Sequence, residues 1–131
     1  MENKIDVIIA GGGHAGIEAA LAISKNKIKC AIVTLDKKSI GRMSCNPAIG
    51  GLAKGHLVKE IDALGGIMGI AADYSCMQMK TLNKSKGRAV WSPRAQVDKI
   101  EYVKFINKEI TNNNNICIIQ DEIVSFTIDD K

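Results

Sequence analysis

The stretch IDVIIAGGGHAGIEAALAISKNKIKCAIVTL, Ile5 to Leu35, decides the fold. Ile5 to Ala10 is largely apolar and breaks at Gly11, which predicts a strand buried on both faces, as in a parallel sheet. A helix is expected from about Ala15 to Lys25. Its Ala15, Ala19, Ala20 and Ala22 permit close packing on the sheet. Cys30 to Leu35 reads as the second buried strand. Strand, helix and strand in one short segment predict a right-handed crossover unit. Between the first strand and the helix, Gly11, Gly13 and Gly16 fall in the GxGxxG pattern. Gly11 permits the tight turn, Gly13 lets backbone approach a pyrophosphate, and Gly16 lets the helix pack on the strand. Free N–H groups at the helix start, with the helix dipole, favour an anion by about 0.3–1 kcal/mol. A glycine-rich turn with no ligand is the other reading; the flanking strand, helix and second strand favour the dinucleotide.

Both FAD and NAD use such a loop. An acidic residue about 20 positions on usually holds the adenosine ribose. The second strand here ends in Thr34, Leu35 and Asp36, so the expected acid is missing. Either Thr34 replaces it with a neutral hydrogen bond or Asp36 reaches back. A GxGxxG so near the start, followed by a long further segment, favours FAD.

Outward from this unit, Asp36 to Gly51 reads mostly as loop. Leu52 to Leu64 carries a helical stripe at Leu57, Ile61 and Leu64, closed by Gly65. Gly66 to Asp73 is ambiguous and compatible with a short helix. Cys76 to Leu82 is a candidate strand, and Asn83 to Val90 is polar and lysine-rich. Ser92-Pro93 predicts a helix start, with Ser as cap and Pro in the first turn. The stripe that follows is Val97, Ile100, Val103, Ile106 and Ile110. Asn112 to Asn115 is a turn, and Ile116–Ile119 and Ile123–Ile128 are two further strands. No repeats occur.

The 131 residues suffice for one compact domain, and 46% hydrophobic content can build a core. The net charge of +4 is weak evidence for a nucleic-acid partner. No run of about 20 apolar residues offers a membrane span, and Met1-Glu2-Asn3-Lys4 shows no secretory signal. Cys30, Cys45, Cys76 and Cys117 form no CxxC pair, and no metal site is expected. Cys30 and Cys117 read as core thiols, and a reducing cytoplasm is the natural compartment. The only arginines, Arg42, Arg88 and Arg94, lie in Gly-, Ser- and Pro-containing loops. They serve either for their planar fork toward phosphate or carboxylate, or reflect nothing beyond codon bias.

GRMSCNPAIGGLAKGH, Gly41 to His56, holds Cys45 in front of Asn46-Pro47. If Asn46 caps a helical turn begun by Pro47, Cys45 sits beside free N–H groups, and these, with Arg42, lower its thiol pKa from about 8.5. Gly41, Gly50 and Gly51 would let backbone approach a flavin ring. The alternatives are a nucleophile held over that ring and a thiol packed beside it.

DVIIAGGGHAGIEAALA, GRMSCNPAIGGLAKGHLVKEIDALGG and LNKSKGRAVWSPRAQ together resemble the N-terminal part of the MnmG (GidA) family, and the resemblance covers essentially the whole chain. It implies an α/β fold: a Rossmann-like FAD-binding domain with a parallel sheet, of the glutathione-reductase-like flavoprotein class, truncated. Residues 1–131 would be the N-terminal part of that domain, without the later NADH-binding and C-terminal tRNA- and partner-binding regions. Disulfide reductases of the class carry a CxxxxC pair, whereas this stretch has the single Cys45. The resemblance further implies modification of carbon five of the tRNA wobble uridine with a carboxymethylaminomethyl or aminomethyl group. The implied partner is the GTPase MnmE, with a homodimer inside a heterotetramer. FAD is the implied cofactor, reduced by NADH, with methylene-tetrahydrofolate as one-carbon donor.

By resemblance, Gly11, Gly12, Gly13, His14, Ala15 and Gly16 hold the FAD pyrophosphate. Thr34 stands at a strand tip where the family also has threonine, and Ile123 meets adenine through its backbone. Cys45 would add to carbon six of the uridine, a role for which a later cysteine of the family is an equal or better candidate. Arg42 replaces an expected glutamine and Arg88 an expected proline. Two other readings are a folate- and FAD-dependent tRNA uridine methyltransferase, disfavoured by SCNPAIGG, and a non-catalytic flavin-binding fragment. Lys84, Lys86, Arg88 and Arg94 cluster at the expected helix start, facing flavin phosphate, tRNA or solvent alone.

Overall fold

The computed structural model describes residues 4–43 and 46–128. They fall into two compact units. One comprises the described residues of 1–40 and 113–131, the other those of 41–112.

The first unit is a parallel sheet with a crossover helix. Strand β1 (Val7–Ala10) leads into helix α1 (His14–Lys25), which returns to strand β2 (Cys30–Thr34). Strand β6 (Ile116–Gln120) completes the order β1-β2-β6, with both pairings parallel. β2 is buried at every position because it has a strand on either side. β1 was expected to be buried on both faces, yet its burial alternates and Ile8 is 63% exposed. It pairs on one side only among the described residues. Cys117 likewise is exposed rather than core, since β6 pairs only with β2 there. Cys30 is the core thiol of this sheet, and burial pushes its pKa up. α1 ends at Asn26, followed by Lys27 in the left-handed region at φ 60°. Asn113 Nδ2 donates to Ser24 Oγ at 2.9 Å, which ties the end of α1 to the turn before β6.

The second unit is built on an antiparallel sheet. Strands β3 (Ala48–Gly50), β4 (Cys76–Leu82) and β5 (Ser92–Val97) take the order β3-β5-β4. Helices α2 (Lys54–Ala63) and α3 (Met68–Tyr74) precede β4, and α4 (Lys99–Thr111) follows β5. β3 was read as loop. Gly50 explains its close approach to β5: its φ is +92°, and a Cβ there would collide with the carbonyl oxygen of Pro93.

Ser92-Pro93 opens a strand, not a helix. Ser92–Val97 pairs with β3 and β4 at once, and two ladders outweigh one capping signal. The helix begins seven residues later, at Lys99. Asp98 caps it, its Oδ1 accepting from Ile100 N at 2.8 Å and Glu101 N at 3.1 Å. The buried stripe of α4 is Tyr102, Ile106 and Ile110, while Ile100 is 66% exposed. α2 ends as expected at Gly65, φ +79°. Gly66 N donates to Ile61 O and Gly65 N to Asp62 O, both at 2.8 Å, which is a Schellman closure. Its expected stripe is not a buried one, for Leu57 and Leu64 are exposed and only Gly55 of the helix is buried. Finally, Ile123–Ile128 forms no strand. Every one of these residues is exposed and takes no place in either sheet among the described residues.

Candidate dinucleotide-binding site

The carboxyl ends of β1 and β2 open onto a groove of about 440 Å³, lined among others by Gly11, Thr34, Leu35, Ser39, Glu122 and Ile123. This is where parallel α/β sheets bind ligands, beyond the strand ends. Gly11, at φ +100°, turns the chain from β1 toward α1, and its N–H donates to Val33 O at 2.8 Å. Gly13 is the N-cap of α1, with φ −75° and ψ 179°, and no side chain caps the helix. Gly13 thus brings no capping side chain to the start of α1, and no acidic residue stands in the first turn.

Three further glycines of the loop differ in cause. A Cβ at Gly16 would strike the backbone carbonyl of Gly11, so glycine is needed for the helix to sit on the strand. A Cβ at Gly12 would lie 2.8 Å from Ile40 Cγ1, a side chain that must move. Gly13 is different: a Cβ would meet nothing within 4 Å, so this chain's own packing does not demand glycine there. His14 and Ala15 are the first two residues of α1, half-buried and exposed respectively.

Thr34 ends β2, buried at 8% exposure on the groove. Its hydroxyl lies 3.5 Å from Asp36 O. Asp36 does not reach back as an alternative ribose ligand. Its Oδ1 accepts from Lys38 N at 2.8 Å and caps the turn Lys37–Ser39. Ile123 reaches the groove as a segment without regular structure. Leu35, Ser39, Asp121 and Glu122 also line it, and sequence reasoning missed them. Only β2–β6 pairing brings residues 121–123 beside Thr34, through Asp121 N donating to Thr34 O at 3.1 Å. Nothing in local spacing announces that contact.

Cys45 lies outside the described residues. Its surroundings still correct the helix-start argument: Ala48 begins β3, and the next helix starts at Lys54. Asn46 caps no helix; its Oδ1 accepts from Arg94 Nη2 at 3.2 Å. Arg94 is thus a strand residue of β5 rather than part of a helix start, and Arg42 is exposed. Among the described residues no cluster of metal-ligating side chains occurs, and no helix is long and apolar enough to cross a membrane.

A parallel sheet, a glycine turn into a helix and a groove over the strand ends define an α/β fold of the Rossmann kind, in which ligands bind beyond the strand ends. The fold alone is shared with distant proteins: Pseudomonas aeruginosa PqsL superposes at a TM-score of 0.57 with 14% identity, over 89% of this chain and 33% of that one. The chain belongs to the family described as glucose inhibited division protein A, whose model matches residues 6–131. It is 52% identical over 125 residues to the tRNA uridine 5-carboxymethylaminomethyl modification enzyme MnmG of Sulfurihydrogenibium sp., covering 95% of this chain and 20% of the relative. The MnmG of Ureaplasma parvum is 52% identical over 126 residues, 96% of this chain and 20% of that protein. The crystal structure of Aquifex aeolicus GidA matches at a TM-score of 0.91 with 52% identity, over 97% of this chain and 21% of that one. The chain thus spans about a fifth of the length of the curated relatives it matches.

Proposed function

We propose that this chain is the N-terminal part of the FAD-binding domain of an enzyme that modifies carbon five of the tRNA wobble uridine. The identity of 52% over 95% of the chain, to relatives named for 5-carboxymethylaminomethyl modification of tRNA uridine, carries the reading. The local chemistry fits FAD: the groove over the strand ends adjoins the uncapped start of α1, and Gly13 leaves backbone accessible. Gly11 to Gly16 would hold the pyrophosphate through backbone N–H groups at the positive end of α1. Thr34 would hydrogen-bond the adenosine ribose through its hydroxyl, and Ile123 would meet adenine through its backbone. Bound FAD would supply the two-electron redox step.

In the whole protein, NADH would reduce the flavin, methylene-tetrahydrofolate would donate the one-carbon unit, and the GTPase MnmE would be the partner of a homodimer. The setting is cytoplasmic. Cys45 is the candidate nucleophile of this segment. Its thiolate sulfur would bond to carbon six of the uridine while the carbon five–six double bond passes its electron pair toward carbon five.

The test uses full-length protein carrying Gly13→Val. A branched side chain there would enter the place of a pyrophosphate, while its Cβ would meet no described protein atom within 4 Å. We expect a folded protein that purifies without flavin and yields tRNA lacking the modified uridine. Full flavin occupancy in that variant would overturn the FAD assignment. A wild-type protein with bound flavin but no uridine modification, in cells lacking their own enzyme, would overturn the tRNA assignment.

A further inference from the structure

We propose that the loop from Asn83 to Trp91 is an RNA-docking lobe, with the Trp91 indole as a stacking platform for an unpaired base and Lys84, Lys86 and Arg88 as phosphate contacts. The proposal rests on the tRNA reading above and gives this segment a direct share in holding the substrate.

The charge pattern points to a polyanion. No acidic residue occurs between Asp73 and Asp98, while Lys80, Lys84, Lys86, Arg88 and Arg94 do. These five cations exceed the net charge of +4 carried by the entire chain. Lys84, Lys86 and Arg88 are exposed, and none has a carboxylate partner among the described residues. Like charges held close together repel, and phosphates relieve that repulsion. Arg94 is engaged with Asn46 and is left out of the contact set.

The lobe is also built. Asn83, at φ 59°, starts the turn Lys84–Lys86, and Gly87, at φ 93°, starts the turn Arg88–Val90. Lys86 N donates to Asn83 O at 2.9 Å. Two contacts then close the ends on each other. Trp91 Nε1 donates to Lys84 O at 3.2 Å, and Asn83 Nδ2 to Val90 O at 3.4 Å. A loop closed by its own bonds loses less entropy when it binds.

Trp91 indicates which part of the RNA. It is the single tryptophan of the chain and 42% exposed. Its N–H is already used inside the lobe, so what it offers outward is ring surface. The Arg88 guanidinium carbon lies 5.8 Å from the ring centroid. An aromatic ring with an arginine over one face is a combination that stacks unpaired bases with little regard to sequence. Single-stranded loops present such bases, and paired stems do not.

The experiment titrates FAD-loaded full-length protein with wobble-uridine tRNA and with its isolated anticodon stem–loop, at several salt concentrations. Neutralising Lys84, Lys86 and Arg88 to Gln should weaken binding and reduce the salt slope by about 0.7–0.9 per lost contact. Trp91→Ala should weaken binding by about 5- to 150-fold, whereas Trp91→Phe, which keeps a ring and loses the bond to Lys84, should retain most of it. Should Trp91→Ala fail to fold, the exposed lysine and arginine changes still decide. Normal tRNA affinity and salt slope in the charge variants would overturn the proposal while leaving the tRNA reading intact. Loss of GTPase binding with unchanged tRNA affinity would assign the lobe to a protein interface and overturn it too. No tRNA binding by the wild-type protein would sink the reading on which it rests.

Discussion

At the scale of single residues, the glycines of one motif separate into two kinds. Gly16 is demanded by this chain's own backbone, because a Cβ would collide with the Gly11 carbonyl. Gly16→Ala should therefore lower stability by about 1–3 kcal/mol, the usual cost of overpacking, and thermal unfolding of the full-length variant measures it. Gly13 sits in open space, so Gly13→Ala should stay within about 1 kcal/mol of wild type, the cost of a poorer N-cap. A Gly16→Ala protein as stable as wild type would contradict the packing account. Cys45 belongs to the same scale. No helix starts at Pro47, so the dipole argument for the thiol's reactivity falls away. For Cys45→Ser we expect wild-type folding and FAD content with tRNA modification strongly reduced. Modification at the wild-type rate would assign the thiol to packing.

At the scale of elements, helix starts divide by what surrounds them. Asp98 is a side-chain cap, making two bonds to the first turn of α4, and the helix it begins buries Tyr102, Ile106 and Ile110. Asp98→Ala should cost about 1 kcal/mol and lower the melting temperature without changing flavin content, which calorimetry and absorbance together would show. An unchanged melting temperature would mean that packing alone holds the start of α4. α1 begins without any such cap, and an uncapped start is suited to receive an anion. The contrast between the two helices is that between a terminus capped by a side chain and one that begins at a glycine.

At the scale of the whole molecule, the described residues form two units with different sheets, one parallel and one antiparallel. The residues assigned to FAD all belong to the parallel unit. Ligand binding to a folded state stabilises it by mass action, by about 2.7 kcal/mol at a hundredfold excess over Kd. Added FAD should thus raise the melting temperature of flavin-stripped full-length protein, and Gly13→Val should abolish the rise. A shift that survives in Gly13→Val would place the flavin away from this loop.

The sequence by itself determined the crossover unit, the glycine turn and the ends of α1 and α2. These depend on residues close together in the chain: an apolar run, alanines, and Gly65 at the position where a left-handed residue closes a helix. Family resemblance, too, was carried by contiguous motifs. Tertiary structure alone decided the rest. Ser92-Pro93 has the local chemistry of a helix start, but strands on both sides drew Ser92–Val97 into a sheet. Ile123–Ile128 has the composition of a strand, yet a strand requires a neighbour, and none pairs with it among the described residues. The groove joins Gly11, Thr34 and Ile123 only because β2 and β6 lie side by side, although far apart in sequence. Local propensity is worth tenths of a kcal/mol per residue, whereas hydrogen-bonded ladders and buried apolar faces are summed over whole elements. Where the two conflict, the longer-range term wins, and it cannot be read from neighbouring residues.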